Sequence, residues 1–284
     1  MKILISGASG LVGSALQPAL RAAGHDPVAL RRPFAANLPA TLDAAGALIH
    51  LAGAPIAEHR WTPRRKQLLR DSRIVATNEL LAQLRQLPRP PAVVIAASAV
   101  GYYGNRDNEA LTESKPPGED FLARLVRDWE TAALAAEDFG ARVVLLRFGI
   151  ILDAHGGALP RLLLPFRLGL GGRLGSGHQW TSWITLADVL ALIQFALTHP
   201  EARGALNAVA PDPVTNADFT RALARALHRP AVLPVPAFVL RLLLGELADT
   251  VLLASQRAVP ERLQELGFAF RHPTLPEAFA SLFA

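Results

Sequence analysis

The sequence KILISGASGLVG, residues 2–13, predicts the fold of this chain. Its first half, 2–6, is a short apolar run typical of a buried strand, and an apolar helical pattern follows over 11–23. A strand, a glycine-rich turn and a helix in this order form the setting that a bound dinucleotide requires. Gly7 permits the tight turn, Gly10 lets the backbone approach a pyrophosphate, and Gly13 lets the helix pack close to the strand.

The start of that helix supplies groups that bind an anion, because its first N–H groups lack helical partners and the helix dipole favours negative charge there. An ordinary strand–turn–helix with incidental glycines is the alternative. The position of the glycines, directly between a strand and a helix, favours the nucleotide. We therefore predict cofactor contacts from Gly7, Ser9, Gly10, Leu11, Val12 and Gly13.

The predicted second strand, 27–30, ends in Arg31 and Arg32, with no acidic residue at that end. In this architecture an acidic residue there binds the 2′-hydroxyl of NAD, whereas arginine accommodates the 2′-phosphate of NADP. Guanidinium groups suit a phosphate because they form charge-assisted, often paired hydrogen bonds with it. The pattern favours NADP(H) bound by Arg31 and Arg32. The alternative is that both arginines simply end the strand in solvent.

Strands and helices alternate through the first half of the chain. Three further apolar strands and two long helices are predicted, over 46–51, 91–97, 142–146, 63–87 and 119–139. The segment 34–45 shows no clear strand. This alternation predicts an α/β fold with a doubly wound parallel sheet of the Rossmann type. Ligands bind at the carboxyl ends of such strands, which adds to the predicted cofactor site Leu51, Ala52 and Gly53.

The second half of the chain has a different character. Glycine is frequent over 153–179, which surrounds one apolar segment at 159–168. A helix is predicted from Asp188 to Thr198, and Thr215 is predicted to cap another. We expect a dinucleotide-binding domain over 1–150, which also receives segments near 180–210, and a smaller C-terminal substrate domain over 151–284.

Composition excludes several classes of function. The 284 residues include no cysteine, which rules out disulfides, thiol chemistry and cysteine-bound metal. The eight histidines show no metal-binding spacing, so we expect no metal. The net charge of +5 raises the question of nucleic-acid binding. The dense basic cluster at 60–73, however, alternates with apolar residues at helical spacing. This pattern favours a solvated or phosphate-facing helix over a nucleic-acid-binding patch.

No membrane association is expected either. No apolar stretch reaches the roughly 18 residues of a membrane span. The first twenty residues have the pattern of a strand, turn and helix rather than that of a signal peptide. The simplest interpretation is a cytoplasmic protein that acts on a small molecule and binds no nucleic acid.

Several motifs together resemble the extended short-chain dehydrogenase/reductase superfamily. They are GASGLVG at 7–13, HLAG at 50–53, SAVGYYG at 98–104, LRFGIIL at 146–152 and SWITLADV at 182–189. More narrowly, the chain looks like an epimerase-like subfamily of unknown substrate. The features of that subfamily are Arg60-Trp61, Lys66, Ser72-Arg73 with Thr77, Asp128-Trp129-Glu130, LLPFRLGLGG at 163–172, GSGHQW at 175–180 and the stretch 243–270.

The resemblance implies a reaction centre built from a serine and a Tyr-xxx-Lys pair. In that superfamily the tyrosine exchanges a proton with the substrate, the lysine supports it, and the serine binds the reacting oxygen. Ser98 matches the serine, although a strand-end cap is its alternative role. Phe121 and Leu125 stand where the tyrosine and lysine are expected. Neither side chain can exchange a proton, so standard epimerase chemistry is not expected.

Two tyrosines near Ser98 are the candidates to replace the missing acid. Tyr102 or Tyr103 could act if a neighbouring cation stabilised the phenolate, and the candidate cations are Arg124, Lys115 and Arg147. The alternative is that both rings pack against the cofactor or the core. The predicted catalytic residues are Ser98, Tyr102 and Tyr103, and Ser98 is also counted with the cofactor site.

The resemblance also implies roles for residues elsewhere. Arg73 lies near the position of an active-site asparagine in relatives, where an arginine could pair with cofactor phosphates; a solvated helix face is the alternative. Ile150 and Ile151 are expected beside the nicotinamide. Trp183 and Asp188 match a substrate-domain motif that is often structural, in which the aspartate caps a helix and ties a loop. His178 and Gln179 could face a substrate, although lone polar loop residues usually do not.

These expectations lead to two main hypotheses. The first is an NADP-dependent oxidoreductase or epimerase-like enzyme acting on a small polar molecule. The second is an NADP(H)-binding regulatory or sensor protein without catalysis, which the missing Tyr-xxx-Lys pair favours. Sugar-nucleotide epimerisation by the usual mechanism is disfavoured by the same feature. The resemblance further implies a homodimer.

Overall fold

The computed structural model describes residues 1–34 and 45–284. The expectation of an irregular segment over 34–45 therefore lies, apart from its two end residues, outside the described residues. The central sheet has six strands, all parallel, in the order β10-β6-β4-β3-β1-β2. Their bounds are Lys2–Ser6 (β1), Asp26–Leu30 (β2), Ala45–His50 (β3), Val93–Ala99 (β4), Arg142–Phe148 (β6) and Gly204–Ala208 (β10). This confirms the predicted doubly wound parallel sheet.

Helices cover both faces of this sheet. One face is packed by α1 (Leu11–Ala22) and α6 (Leu186–Thr198), and the other by α3 (Ala76–Arg85) and α4 (Phe121–Leu134). Successive strand side chains point to opposite faces, so in β1 Ile3 and Ile5 join one core and Leu4 joins the other. Burial on both faces explains why the strands are continuously apolar rather than alternating.

The helical segment after residue 62 is interrupted by a wider turn. Thr62 caps it, its side chain accepting the N–H of Arg65 at 3.2 Å, as its sequence pattern indicates. The segment then consists of α2 (Pro63–Arg70), a π-helical turn (Asp71–Val75) and α3. The π-turn inserts an extra residue and turns Ser72 and Arg73 inward, where both are buried. The sequence predicted one uninterrupted helix here.

Strands β4 and β6 are each longer at their carboxyl ends than predicted. As a result Ser98 is a strand residue rather than the first residue of a loop. A 3₁₀ turn, Val100–Tyr103, and the short strand β5, Ala110–Leu111, lie in the segment that leads to α4. Asp120 caps α4 by accepting the N–H of Ala123 at 2.8 Å.

The remaining elements follow β6, and several of them return to the main sheet. β10 pairs with β6, and α6 packs against α1. A separate apolar cluster holds together α5, α7, α10 and the Trp183 ring. The bounds are Ile150–Leu152 (β7), Leu159–Arg167 (α5), Trp180–Thr181 (β8), Trp183–Thr185 (β9), Val214–Thr215 (β11), Asn216–Ala226 (α7), Ala237–Leu244 (α8), Arg257–Ala258 (β12), Glu261–Glu265 (α9) and Leu275–Leu282 (α10).

Asp188 ties a loop, as predicted, but it is not the predicted helix cap. The cap of α6 is Thr185, whose hydroxyl accepts the N–H of Asp188 at 3.1 Å. The fully buried carboxylate of Asp188 accepts backbone N–H groups of Arg271 and His272, at 2.7 and 3.2 Å. Asp188 therefore fastens the C-terminal segment to the sheet domain. Within residues 1–34 and 45–284, no helix combines the length and apolar character that crossing a bilayer demands.

Candidate functional site

The glycine turn after β1 has the geometry that its sequence predicts. Gly7 has φ +74°, a conformation that side-chain-bearing residues rarely adopt. A Cβ on Gly13 would lie 2.3 Å from the Gly7 carbonyl oxygen, so the helix can approach the turn only without one. Gly10 differs, because a Cβ there would meet nothing closer than 3.4 Å. No side chain caps α1 at Gly10, which leaves the first N–H groups of the helix available.

A cavity of about 740 Å³ lies over this turn. The structure brings three predicted parts of the cofactor site together around it: the glycine turn, the end of β2 and the end of β3. Leu11, Val12 and Gly13 form the first turn of α1 next to it. Among the described residues no acidic side chain lines the cavity, and its lining is Gly7, Ala8, Ser9, Gly10, Gln17, Ala29, Leu30, Arg31, Arg32, Phe34, Leu51, Ala52 and Gly53.

A buried histidine supports the floor of this cavity. His50, at the end of β3, is 1% exposed. Its Nδ1 lies 2.6 Å from Ser6 Oγ and its Nε2 lies 2.8 Å from Thr77 Oγ1. Thr77 donates its own proton to the Arg73 carbonyl, so Nε2 carries the hydrogen and Nδ1 accepts from Ser6. Burial, with a smaller contribution from the charge of Arg32, lowers the pKa of His50 to about 4.

Arg73 lies inside the protein, not on a solvated helix face. Only 6% of it is exposed. Its Nη1 donates to the Ala54 carbonyl at 2.9 Å, and its Cζ lies 5.0 Å from the centre of the Trp129 ring. The same Cζ would be 3.1 Å from a Cβ on Gly53, so the guanidinium sits directly behind that cavity residue. Burial first, then the charge of Arg65, lowers the pKa of Arg73 to about 10.

Arg73 is incompletely partnered in this position. Its Nε is buried without a hydrogen-bond partner among the described residues, and no carboxylate in that part of the chain pairs with the guanidinium. A buried cation without a counter-charge is costly unless something negative approaches it.

Ser98 and Tyr103 belong to one buried polar network. Ser98 Oγ donates to Glu130 Oε1 at 2.5 Å. Arg147 donates to both oxygens of Glu130 at 2.8 Å and to the Tyr103 hydroxyl oxygen at 2.9 Å. Tyr103 in turn donates to Asn207 Oδ1 at 2.7 Å. All five residues are at least nine-tenths buried, and burial raises the pKa of Tyr103 to about 12 against the opposing effect of Arg147.

Tyr102 stands apart from that network. Its side chain is partly exposed, and its hydroxyl has no hydrogen-bond partner in the described parts of the chain. The Arg147 guanidinium carbon lies 3.6 Å from the centre of its ring. The other two candidate cations are engaged elsewhere, Lys115 with Glu109 at 2.8 Å and Arg124 with the Glu119 carbonyl. Of the predicted catalytic residues, only Tyr102 therefore has a hydroxyl that an incoming molecule can use.

The place of the expected Tyr-xxx-Lys pair is filled by packing. Phe121 meets the Trp61 ring edge-on at 5.2 Å, and the Lys66 ammonium lies 4.6 Å from the centre of its ring. Lys66 also forms an ion pair of 2.5 Å with Glu246, from the C-terminal part of the chain. Leu125 is completely buried. Nothing at these two positions can donate or accept a proton.

Ile150 and Ile151 lie on β7, between the glycine turn and a second cavity. A Cβ on Gly156 or Gly157, just after β7, would touch the Leu11 side chain at 2.6 and 2.8 Å, so this segment rests on the start of α1. Ile150 lines the second cavity, which is described below.

The remaining predicted residues have structural contacts. The Trp183 indole is fully buried and donates to the Asp212 carbonyl at 2.9 Å. Gln179 donates to the Leu174 and Leu252 carbonyls at 3.0 and 3.2 Å and so fastens two loops, while His178 is exposed. Among the residues that the structure describes, no cluster of histidines and carboxylates could hold a metal.

Sequence reasoning missed much of the polar network. Glu130, Asn207 and His50 were not selected as site residues. Glu130 and His50 stand in motifs that were quoted only for the resemblance, and the hydrogen-bond partners of all three lie 17 to 104 residues away in the chain. A buried acid in an apolar helix face, as at Glu130, was the available signal.

The chain resembles known proteins along almost its whole length. The profile of the NAD dependent epimerase/dehydratase family matches residues 3–209, and a domain of unknown function, DUF1731, matches residues 235–282. The epimerase family protein Mb2239 of Mycobacterium bovis is 45% identical to the chain, covering 97% of the chain and 95% of its own length.

Two solved structures are informative. The human epimerase family protein SDR39U1 (isoform 2), crystallised with NADPH, superposes with a TM-score of 0.93 at 33% identity, over 100% of this chain and 99% of that one. MoeE5, in complex with UDP-glucuronic acid and NAD, superposes with a TM-score of 0.78 at 23% identity, over 100% and 98% of the two chains. At that identity the second likeness concerns the fold alone.

Proposed function

Because the chain belongs to the NAD-dependent epimerase/dehydratase family, we propose that it is an NADP(H)-dependent oxidoreductase of the extended short-chain dehydrogenase/reductase type, acting on a small molecule. One observation carries the choice of cofactor. Arg31 and Arg32 lie exposed on the rim of a dinucleotide-sized cavity that has no acidic side chain in its described lining. The NADPH bound by the human relative supports the same choice.

The residues of the cavity fit the cofactor part by part. Free N–H groups at the start of α1 would hold the pyrophosphate, and the open space at Gly10 lets it approach the backbone. Arg31 and Arg32 would bind the 2′-phosphate. The chemistry that the cofactor would supply is hydride transfer at a carbonyl or alcohol carbon. The proposed contacts are Gly7, Ser9, Gly10, Leu11, Val12, Gly13, Arg31, Arg32, Leu51, Ala52, Gly53, Ile150 and Ile151.

We assign Arg73 to the same site as a source of positive charge. It lies behind Gly53, which has no side chain to separate the guanidinium from the cavity. Its charge is balanced by no described carboxylate, and the phosphates of a bound dinucleotide would provide the missing negative charge. Because Gly53 has no side chain, the Arg73 guanidinium would attract the cofactor phosphates through space, without direct contact.

Tyr102 is the proposed proton donor to the substrate oxygen. Its hydroxyl, which has no partner in the described chain, and the Arg147 guanidinium over its ring support this role. Ser98 and Tyr103 are proposed as positioning residues, since their hydroxyl groups are used by Glu130 and Asn207. They fix Arg147, which in turn lies against Tyr102.

The experiment is single-turnover transfer of deuteride from 4-deuterated NADPH to a panel of ketones, with alcohol detected by mass spectrometry. Wild type should transfer the label, and Tyr102→Phe should transfer it at least about a hundredfold more slowly. Tyr103→Phe removes only a group that positions Arg147, so its rate should lie between the two. Equal rates for Tyr102→Phe and wild type would remove Tyr102 from the mechanism.

A second candidate is a non-catalytic NADP(H) sensor. The packing of Phe121 and Leu125 in place of a proton-exchanging pair favours it. Tight NADPH binding with no deuteride transfer to any ketone, and with a change in association with a protein partner, would select this candidate.

The two halves of the chain are assigned to cofactor and substrate. We propose that residues 1–150 with the returning β10 bind the cofactor and that 151–284 mainly bind substrate. We also propose a cytoplasmic homodimer. Leu68 and Val75, 48% and 47% exposed on one helical segment, support a self-association surface, and sedimentation analysis tests it.

A further inference from the structure

The second cavity lies in the C-terminal half of the chain. Its volume is about 170 Å³, and helices α5 and α7, strand β8 and the segment around 251–256 enclose it. Large apolar side chains form most of its wall, among them Leu162, Phe166, Trp180, Phe219, Val251 and Leu252. Within the described residues, no lysine, arginine, histidine, aspartate or glutamate lines it.

This cavity lies beside the proposed reaction centre. Val100 follows β4 directly and Ile150 begins β7, just beyond β6, and both line the cavity. In the sheet β6 and β4 are followed by β3, β1 and β2, whose ends line the cofactor cavity. The two cavities therefore open along the same carboxyl edge of the sheet, where ligands of such folds bind. The segment that follows β7 lies between them, since Gly156 and Gly157 pack against the Leu11 side chain at the start of α1.

The polar groups in the wall are few and neutral. Ser182 and Asn216 are used internally, by the Gln256 carbonyl at 2.7 Å and by the Leu174 N–H at 2.8 Å. The side chains of Thr181, Thr220 and Gln256 have no hydrogen-bond partner within the described chain. Thr220 is only 5% exposed. Such a wall offers a ligand one or two neutral hydrogen bonds.

We propose that this cavity is the substrate site and that the substrate is an uncharged, largely apolar ketone or the corresponding alcohol. A diphosphate or carboxylate would lose its hydration here without gaining a cation, which is strongly unfavourable. The substrate would thus differ in kind from the sugar nucleotide bound by MoeE5. The inference rests on the proposed function for its chemistry, and it replaces the expectation of a polar small molecule.

The test compares two ketones that differ in charge but little in shape. The probes are p-nitroacetophenone and its carboxylate counterpart p-acetylbenzoate, with UDP-glucose as a third ligand. Binding is measured by ligand-observed NMR, with and without NADPH. Wild type should bind the nitro compound at least about tenfold more tightly than the carboxylate, and UDP-glucose should not bind.

Two variants show whether this preference belongs to the cavity. Thr220→Lys places a cation in the wall and should lower the ratio of nitro-compound affinity to carboxylate affinity by about tenfold. Thr198→Lys, at an exposed site on α6, should leave this ratio unchanged. Ala254→Leu fills part of the cavity and should weaken binding of the nitro compound. Ala280→Leu, exposed on α10, should leave that binding unchanged. Cofactor affinity and melting temperature verify that each variant is folded.

Each outcome decides one point. No binding of the nitro compound, equal or tighter binding of p-acetylbenzoate or UDP-glucose, or indifference to both cavity variants would overturn the inference. NADPH titration of the same samples keeps the proposed function separate. If the protein prefers the nitro compound but does not bind NADPH, the proposed function is wrong and the assignment of the cavity stands. If it binds NADPH but does not prefer the nitro compound, the proposed function stands and this inference is wrong.

Discussion

Arg147 holds Glu130 with two parallel hydrogen bonds, Nε to Oε1 and Nη2 to Oε2, each 2.8 Å long. The two side chains are 4% and 8% exposed. Arg147 extends from β6 and Glu130 from α4, so the pair ties a central strand to the helix that packs on it. Ser98 and Tyr103 complete its hydrogen bonds, which is the condition under which a buried ion pair is tolerated.

Breaking this pair should strongly destabilise the fold. Glu130→Gln leaves the Arg147 charge buried without a counter-charge, and we expect a loss of about 3 kcal/mol in the free energy of unfolding, measured with urea. Asp128→Asn is the matched control on the same helix, because Asp128 pairs with Arg70 and Arg127 at the surface. The control should lose less than about 1 kcal/mol. Equal losses would contradict the structural importance of the buried pair.

The two neighbouring tyrosines should respond differently to loss of the hydroxyl. Tyr103→Phe leaves Asn207 Oδ1 without a partner and leaves Arg147 Nη1 only the Glu113 carbonyl at 3.3 Å, which should cost about 1–3 kcal/mol of unfolding free energy. Tyr102→Phe removes a hydroxyl without partners and should leave stability unchanged. Urea unfolding of both variants measures the difference. If Tyr102→Phe were the more destabilising, the assignment of positioning and reacting roles would be reversed.

Acid should destabilise the protein through His50. Its pKa is lowered from 6.5 to about 4 in the folded state, so the unfolded chain binds the proton first as pH falls. The stabilisation is complete above pH 6.5 and is lost as pH falls toward 4, by at most about 3 kcal/mol. Unfolding of wild type and His50→Gln at pH 7 and pH 4.5 measures this. The variant should show a shallower pH slope, and His155→Gln, exposed in a loop, should match wild type.

Alanine substitutions at two glycines of the cofactor turn should affect stability and NADPH affinity differently. Gly10→Ala meets no close atom within the protein, so it should retain stability and lose about tenfold in NADPH affinity through obstruction of the pyrophosphate. Gly13→Ala would press a methyl group onto the Gly7 carbonyl and should lose both stability and binding. Thermal unfolding with NADPH titration separates the two effects. Full NADPH affinity in Gly10→Ala would place the pyrophosphate elsewhere.

The nucleotide-binding fold could be predicted because its signals are local. The turn at 7–13 and the strand ending at Arg31 each follow from short-range rules about glycine, helix ends and sheet edges. The cap at Thr62 and Pro63 also located a helix start correctly. The π-turn at Asp71–Val75 was missed, because no residue type there signals an inserted residue.

The chemistry of the candidate site could be predicted only in part. The missing proton pair at Phe121 and Leu125 was visible in the sequence. The burial of Ser98 and Tyr103 was not, because it depends on Glu130 and Asn207, which are distant in the chain. The apolar character of the second cavity was equally hidden, since its wall is assembled from segments spread between residues 100 and 256.

A side-by-side titration of both nucleotides measures whether Arg31 and Arg32 select NADPH. Quenching of the four tryptophans reports NADPH and NADH binding to wild type, to Arg31→Ala/Arg32→Ala and to a control, Arg85→Ala/Arg89→Ala. The two control arginines are exposed, Arg85 as the last residue of α3 and Arg89 four residues beyond it. The first variant should lose about tenfold or more in NADPH affinity, with weak NADH binding unchanged, and the control should match wild type. Equal affinity of wild type for both nucleotides, or equal loss of NADPH affinity in both variants, would show that Arg31 and Arg32 do not select the cofactor.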